Sequence, residues 1–113
     1  MAKFADKFAS LTAATAATSG TAINVSAVDA WTCSVSYTST GGTVDIIVEG
    51  TLSAVSTSGY VTIGSALTTT GAATGSFDVS KSLTPYHYVR ARTANHASTG
   101  TVVTANFLTQ SER

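Results

Sequence analysis

From Thr21 onward, apolar and polar residues alternate with a period of two along much of the chain. The clearest stretch places apolar side chains on every second position, at Trp31, Cys33, Val35 and Tyr37. Successive side chains of a β-strand point to opposite faces of a sheet, so this pattern predicts a strand with one buried face. Further strands are predicted at residues 21–27, 44–51, 60–63, 76–79, 86–93 and 101–108.

Segments rich in Gly, Ser and Thr separate these strands, at residues 39–42, 56–59, 70–73 and 95–100. The first of them predicts a hairpin turn, because paired glycines readily adopt the positive φ that tight turns need. About seven or eight short strands joined in this way predict an all-β fold, an antiparallel β-sandwich of jelly-roll-like type. The predicted core consists of the apolar residues in the inward register: Trp31, Val35, Val44, Ile46, Val48, Ile63, Val89 and Ala91.

The N-terminal residues differ, because the apolar side chains of Phe4, Phe8 and Leu11 follow the spacing i, i+4, i+7. This spacing places three side chains on one face of a helix. We therefore expect residues 1–19 to form an N-terminal arm or short helix, and residues 20–113 to form the β-sandwich domain. Two alternatives stay open for the arm: it covers one end of its own domain, or it docks on a neighbouring subunit with Phe4, Phe8 and Leu11 as its partner-binding residues.

Composition narrows the classes of function. The chain has 113 residues, which suits one domain. Six Lys and Arg residues balance six Asp and Glu residues, so there is no basic excess with which to neutralise a nucleic-acid backbone. No apolar run approaches the ~18 residues that a membrane helix needs. We expect neither nucleic acid nor a membrane as a partner, and the single cysteine, Cys33, excludes an internal disulfide.

The sequence lacks the motifs of common catalytic and metal sites, since it contains no glycine-rich phosphate loop, HExxH, CxxC or GxSxG. His87 and His96 fit a strand residue and a loop residue better than a metal pair. Asp45 and Glu49 lie on one strand about 13 Å apart, further than the ~5–9.5 Å between glycosidase carboxylates. We interpret them as a solvated or interface face, and we expect a protein that is not an enzyme and that needs no cofactor or metal.

The most informative polar segment is residues 85–92. Alternation places four large polar side chains on one face of the predicted strand: Tyr86, Tyr88, Arg90 and Arg92. Tyr and Arg are enriched in the energetically dominant parts of protein interfaces, and they also stack on sugars and bases. Three interpretations therefore remain: packing on a sheet face with salt links, a protein–protein interface, or a face that binds glycan or nucleic acid.

Four short motifs resemble a pattern in small β-sandwich virion proteins of tailed bacteriophages. Residues 48–52 (VEGTL) and 60–64 (YVTIG) are similar to their "(V/I)-E-G-(S/T)" strand end and "W/Y-x-x-(I/L)-G" strand. Residues 88–91 (YVRA) and 100–104 (GTVVT) are similar to their usual ending, "Y-(V/I)-R-A" followed by "G-T-V-x-V". The resemblance covers about residues 20–108, in the same order. The intervening loop lacks the Asp-Gly-x-x-Trp that is common in that family.

Such proteins serve as capsid decoration (cement) proteins, neck components, and tail or fibre domains, so the resemblance implies a virion structural protein. The single domain with an apolar arm and a nearly neutral surface favours a decoration protein on the capsid surface. Its expected partners are the major capsid protein or other virion subunits, and a homo-oligomer, with a trimer favoured at local three-fold sites. The alternatives are a neck or tail component and a glycan-binding adsorption module.

Overall fold

The computed structural model describes residues 3–28, 30–80, 85–95 and 101–112. Over these residues the protein is all-β and antiparallel, which confirms the predicted fold class. No helix in this part of the chain is long and apolar enough to cross a membrane. The strands are β1 (Lys3–Ala14), β2 (Thr18–Ser19), β3 (Ile23–Asn24), β4 (Ala30–Thr51), β5 (Val61–Thr62), β6 (Leu67–Ser80), β7 (Tyr88–Ala94) and β8 (Val102–Glu112).

Strand β4 organises the sheet, because its two halves have different neighbours on one side. Residues 30–38 pair with β8, and residues 45–51 pair with β7. On its other side β4 pairs with β6 along residues 32–46, and with the short β5 beyond them. Strand β1 pairs with the outer side of β8, and β2 and β3 pair with the outer side of β7. The result is two layers that share one long bent strand.

The predicted hairpin turn at residues 39–42 is wrong, since β4 runs through this segment without reversing. The two glycines instead form a bulge, where the pairing with β6 shifts between Thr40 and Thr43. Gly42 has φ of 80°, a left-handed value that glycine adopts without strain. A bulge bends a strand and increases its twist, so the glycines bend β4 from one layer into the other. The turn predicted at residues 70–73 is absent for the same reason, because β6 follows β4 through the bend.

The N-terminal segment forms β1, an outer strand of the sheet, and not a short helix. Its pairing with β8 agrees with the alternative in which the segment covers its own domain. The spacing of its apolar residues fits a strand once the pairing is considered. Ala9 and Leu11 lie opposite consecutive residues of β8, so Ser10 is an extra residue in β1. This bulge returns Leu11 to the face of Phe8, three positions earlier, which mimics the spacing of a helix.

A hydroxyl group connects the two layers where the sheet nearly closes on itself. The Ser10 hydroxyl accepts a hydrogen bond from the Ala91 amide of β7 at 3.0 Å, and it donates one to the carbonyl of Thr21 at 2.9 Å. Ser10 is buried, so these bonds satisfy polar groups that water does not reach. The bulge in β1 thus places a serine between β1 and β7 and fixes the distance between the layers.

The core lies between the layers, and all eight residues that the sequence predicts for it are buried. Trp31 packs edge-to-face on Phe107, with ring centroids 5.6 Å apart. Phe107 belongs to β8, whose inward residues complete the core together with Leu11 of β1. Strand β8 therefore contributes more to the core than the sequence predicted, since none of the eight predicted core residues belongs to it.

Candidate interaction surface

A buried carboxylate held by two arginines lies at the centre of the outer face of β4 and β7. Glu49 is 4% exposed. One of its oxygens accepts a hydrogen bond from Nε of Arg90 and the other from Nε of Arg92, both at 2.6 Å. The arginine side chains keep 21% and 34% of their surface exposed. The cluster places one more positive than negative charge at the surface of this face.

The residues reach this arrangement through strand register. Glu49 lies directly opposite Arg90, and Arg92 is two residues further along β7 on the same face. Both arginines can therefore reach one carboxylate from the same neighbouring strand. Of the two interpretations of Glu49, a solvated or an interface face, the solvated one is wrong for this residue, because it is buried beneath the two arginines.

That loop, residues 52–60, is fixed to the cluster by an aromatic ring. The guanidinium of Arg90 lies 3.8 Å from the centroid of the Tyr60 ring, a cation–π contact. The Tyr60 hydroxyl donates to the carbonyl of Ser56 at 2.8 Å, and the Thr51 hydroxyl donates to that of Ser58 at 2.8 Å. Partial burial raises the pKa of Tyr60. The loop thus has a defined shape although it lacks regular strands.

Asp45 occupies the same face, four residues before Glu49, in a separate network. Its carboxylate accepts hydrogen bonds from the Thr68 hydroxyl at 2.6 Å and from the Asn95 side-chain amide at 2.7 Å. These bonds, the Thr68 bond foremost, hold the pKa of Asp45 below its usual value. The two carboxylates therefore share a face, as predicted, but bind different partners.

Of the four predicted partner-binding residues in the segment 85–92, the structure separates one from the rest. Tyr88, Arg90 and Arg92 lie on β7 with alternate residues between them, as expected. Tyr86 precedes the strand and packs against the core, with its ring over Gly50. His87 stacks near Tyr88, with ring centroids 4.8 Å apart.

The predicted contact residues of the N-terminus differ in their exposure to solvent. Phe8 is 42% exposed and available for contact. Leu11 is 3% exposed and belongs to the core of its own chain, which corrects its assignment to an arm that leaves the domain. Phe4 lies in β1, and its side chain is outside the described part of the structure.

Sequence reasoning missed three exposed apolar side chains, two on the loop after β4 and one on β5. Leu52, Val55 and Val61 are each more than half exposed. Leu52 and Val61 border an open cavity of about 460 Å³ together with Tyr86. The detectable signal was the complete absence of charged residues between Glu49 and Asp78. The surface loop within this stretch therefore carries no charged side chain.

The remaining candidates are the cysteine and the possible metal ligands. Cys33 is fully buried, and burial raises the pKa of its thiol to about 12. A thiol that stays protonated is a poor nucleophile and a poor metal ligand. No group of three or more metal-binding side chains occurs among the described residues. His96, the second histidine considered for a metal pair, lies outside those residues.

No family model and no curated protein matches this chain. Among solved structures, it is similar to the SPBc2 prophage-derived protein YomS, with a TM-score of 0.67 and 15% identity over 98% of this chain and 96% of that one. It is also similar to a chain of the Bacillus endospore appendages, described as disulfide-linked pili, with a TM-score of 0.51 and 15% identity over 99% of this chain and 87% of that one. At 15% identity, the structural similarity shows a common fold and nothing more.

Proposed function

We propose that this chain is a non-enzymatic structural protein of a virion, and specifically a decoration protein on the capsid surface. The observation that carries the proposal is the fold, which matches a prophage-derived protein over 98% of this chain. The motifs around Glu49 and Arg90 support it, because the resemblance to phage virion proteins includes both residues and the structure joins them in one buried ion pair. The motifs therefore maintain the fold of the module.

The surface of the protein supports a role in contact and not in chemistry. The described residues offer rigid apolar and arginine-bearing surfaces, and their thiol is buried and protonated. Cys33 is thus unsuited to a disulfide between subunits, so attachment would be noncovalent. A protein that binds only the assembled shell stabilises the shell by mass action. The partner would be the major capsid protein, at sites repeated by the symmetry of the shell.

The test compares particles made with and without this chain. Particles purified from cells that encode the chain, and from cells with an in-frame deletion, are imaged by electron cryomicroscopy, and their thermal release of genome is measured. We expect difference density on the outer shell and genome release at a lower temperature in the deletion. Absence of the chain from purified particles would overturn the proposal.

The same images test the alternatives. Difference density at the neck or tail would replace the capsid assignment with a neck or tail component. Particles that keep their heat resistance without the chain, but attach poorly to host cells, would instead indicate an adsorption module. Glycan binding by the isolated chain, abolished by Tyr88→Ala, would then identify the ligand class.

A further inference from the structure

We propose that the β6 edge of one copy binds the β1 edge of a second copy, so that a four-stranded sheet continues from copy to copy. That sheet has the order β1, β8, β4, β6. Its inner face is the side of Phe107, and its outer face is the side of Leu108. The inference concerns association of the isolated chain and does not depend on the capsid assignment.

The β6 edge lacks the features that protect natural sheet edges. Within the described residues, segment 72–80 pairs with β4 alone, leaving its other side unpaired. It contains no Lys, Arg or Pro, and its pairing with β4 is regular, since the register shift lies beyond it at Thr40 and Thr43. Asp78 is its one charged residue. Natural proteins usually block such an edge with lysine, proline or a bulge, because an open edge recruits another strand.

The directions of the strands suit a repeated contact. Each strand of the four-stranded sheet is antiparallel to its neighbour, so β1 and β6 at its two edges also run antiparallel. A second copy displaced sideways in the same orientation therefore presents β1 antiparallel to β6 of the first. Inner and outer faces stay aligned in this displacement, so no strand has to turn over.

One register of this contact provides a matched pair of side chains on each face. If Phe8 of the second copy lies opposite Phe77, then Lys7 of the second copy lies opposite Asp78. Phe8 and Phe77 both belong to the inner face, because Phe8 pairs with Phe107 and Phe77 is in line with Val35. Lys7 and Asp78 both belong to the outer face and are exposed. The contact would form an aromatic pair inside and an ion pair outside.

At both edges of the sheet, the last apolar residue of a cross-strand row is partly exposed. Phe8, Phe107, Cys33 and Val79 form one row across the four strands. The two central members are fully buried, whereas Phe8 is 42% exposed and Val79 is half-buried. In the proposed register a neighbouring copy places Phe77 beside Phe8 and Asp6 beside Val79, so the contact covers both ends of the row but supplies an apolar partner only to Phe8. Because the two contacting surfaces differ, such copies form a ring if their rotation closes and an open chain if it does not.

The experiment measures association of the full chain by sedimentation velocity over a wide range of concentration. Lys7→Glu and Asp78→Lys each place like charges opposite one another, and each should weaken association about tenfold, as expected when a cross-strand pair changes from attraction to repulsion. The double variant restores opposite charges and should return to within about threefold of the original affinity. Ala54→Lys, a charge added on the exposed loop away from both edges, is the matched control and should change nothing.

Each outcome decides the proposal. A monomer at every concentration overturns it. Association that Lys7→Glu leaves intact also overturns it, because β1 then takes no part in the contact. Failure of the double variant to recover excludes the proposed register. Hydrogen exchange supplies a second measurement, in which the amides of residues 72–80 should gain protection as concentration rises, while circular dichroism confirms that each variant is folded.

Discussion

Phe8 and Phe107 lie directly opposite each other on β1 and β8, yet Phe107 has no exposed surface while Phe8 is 42% exposed. Phe107 is covered by strands on both sides and by the edge of Trp31, whereas Phe8 is at the open edge of the sheet. The difference shows that position in the sheet, and not residue type, determines what these two aromatic rings contribute.

This pair gives the first prediction. Phe107→Ala should lower the free energy of unfolding by about 3–5 kcal/mol, because it removes buried surface and leaves a cavity. Phe8→Ala, measured on the monomer at low concentration, should change it by less than ~1 kcal/mol. Urea denaturation of both variants makes the comparison, and similar losses for the two would contradict the edge position of Phe8.

The inward register of β7 and of each half of β4 could be predicted from the sequence, because apolar residues recur at every second position within each of these segments. From Trp31 to Val35, and from Val89 to Ala91, one apolar residue follows every polar one, and a slip of one residue would expose the whole set. The eight predicted core residues are buried for this reason. Alternation of this kind specifies a face without any knowledge of the partner strands.

Bulges explain where the sequence interpretation failed. A bulge resets the alternation by one position, so the pattern at Ser10 looked helical and the glycines after Thr40 looked like a turn. Which strand pairs with the bulged segment is decided by contacts distant in sequence, and no local pattern contains that information. Packing of the arginine face with salt links was one of the three interpretations, and the ion pairs with Glu49 agree with it. The sequence did not identify Glu49 as the acidic partner, because the cluster is assembled by Arg92 and Tyr60 from other segments.

The second prediction concerns this cluster. Glu49→Gln removes the negative charge that both Arg90 and Arg92 contact, and should lower the free energy of unfolding by about 2–3 kcal/mol, since the arginines remain partly solvated. Asp45→Asn on the same face is the control, and should lower the free energy of unfolding by less, because that carboxylate is only half-buried and an amide oxygen can still accept the Thr68 hydrogen bond. Equal effects of the two changes would show that burial of Glu49 is unimportant.

The third prediction uses the thiol of Cys33. Its folded-state pKa is raised to about 12, so the folded protein keeps the proton while the unfolded chain loses it from about pH 9. The free energy of unfolding should therefore be unaffected by this group below pH 9, and should fall as the pH rises toward 12, by at most ~1.4 kcal/mol per pH unit.

The slope of stability against pH for Cys33→Ala isolates this contribution from that of the tyrosines and lysines. Its slope above pH 9 should be shallower than that of the original chain. A thiol reagent should label the native protein only at the rate of unfolding. Rapid labelling without denaturant would contradict burial of the sulfur.

The fourth prediction tests the close approach of Tyr86 to β4. A Cβ atom added at Gly50 would lie 2.7 Å from the Tyr86 ring and 2.9 Å from Cδ1 of Ile63, closer than atoms pack. Gly50→Ala should therefore lower the free energy of unfolding by about 1–3 kcal/mol. Combining it with Tyr86→Ala should cost less than the sum of the two single changes, because the clash with the ring is then absent and only the contact with Ile63 remains. Strict additivity in thermal denaturation would show that the ring lies elsewhere.

The last prediction divides the N-terminal strand into two functional parts. Side chains from Asp6 to Ala9 are exposed, whereas Ser10 joins the layers and Leu11 is in the core. Deletion of residues 2–8 should thus lower the melting temperature only slightly, because it removes exposed side chains and strand pairing at one edge. Deletion of residues 2–17 should lower it strongly, since loss of Leu11 leaves a cavity and the Ala91 amide loses its hydrogen-bond partner. Calorimetry of both truncated chains at low concentration makes the test. If the longer deletion melts with the full chain, then β1 belongs to an arm that contributes nothing to its own domain, and its place in assembly becomes the better explanation for Phe8 and Leu11.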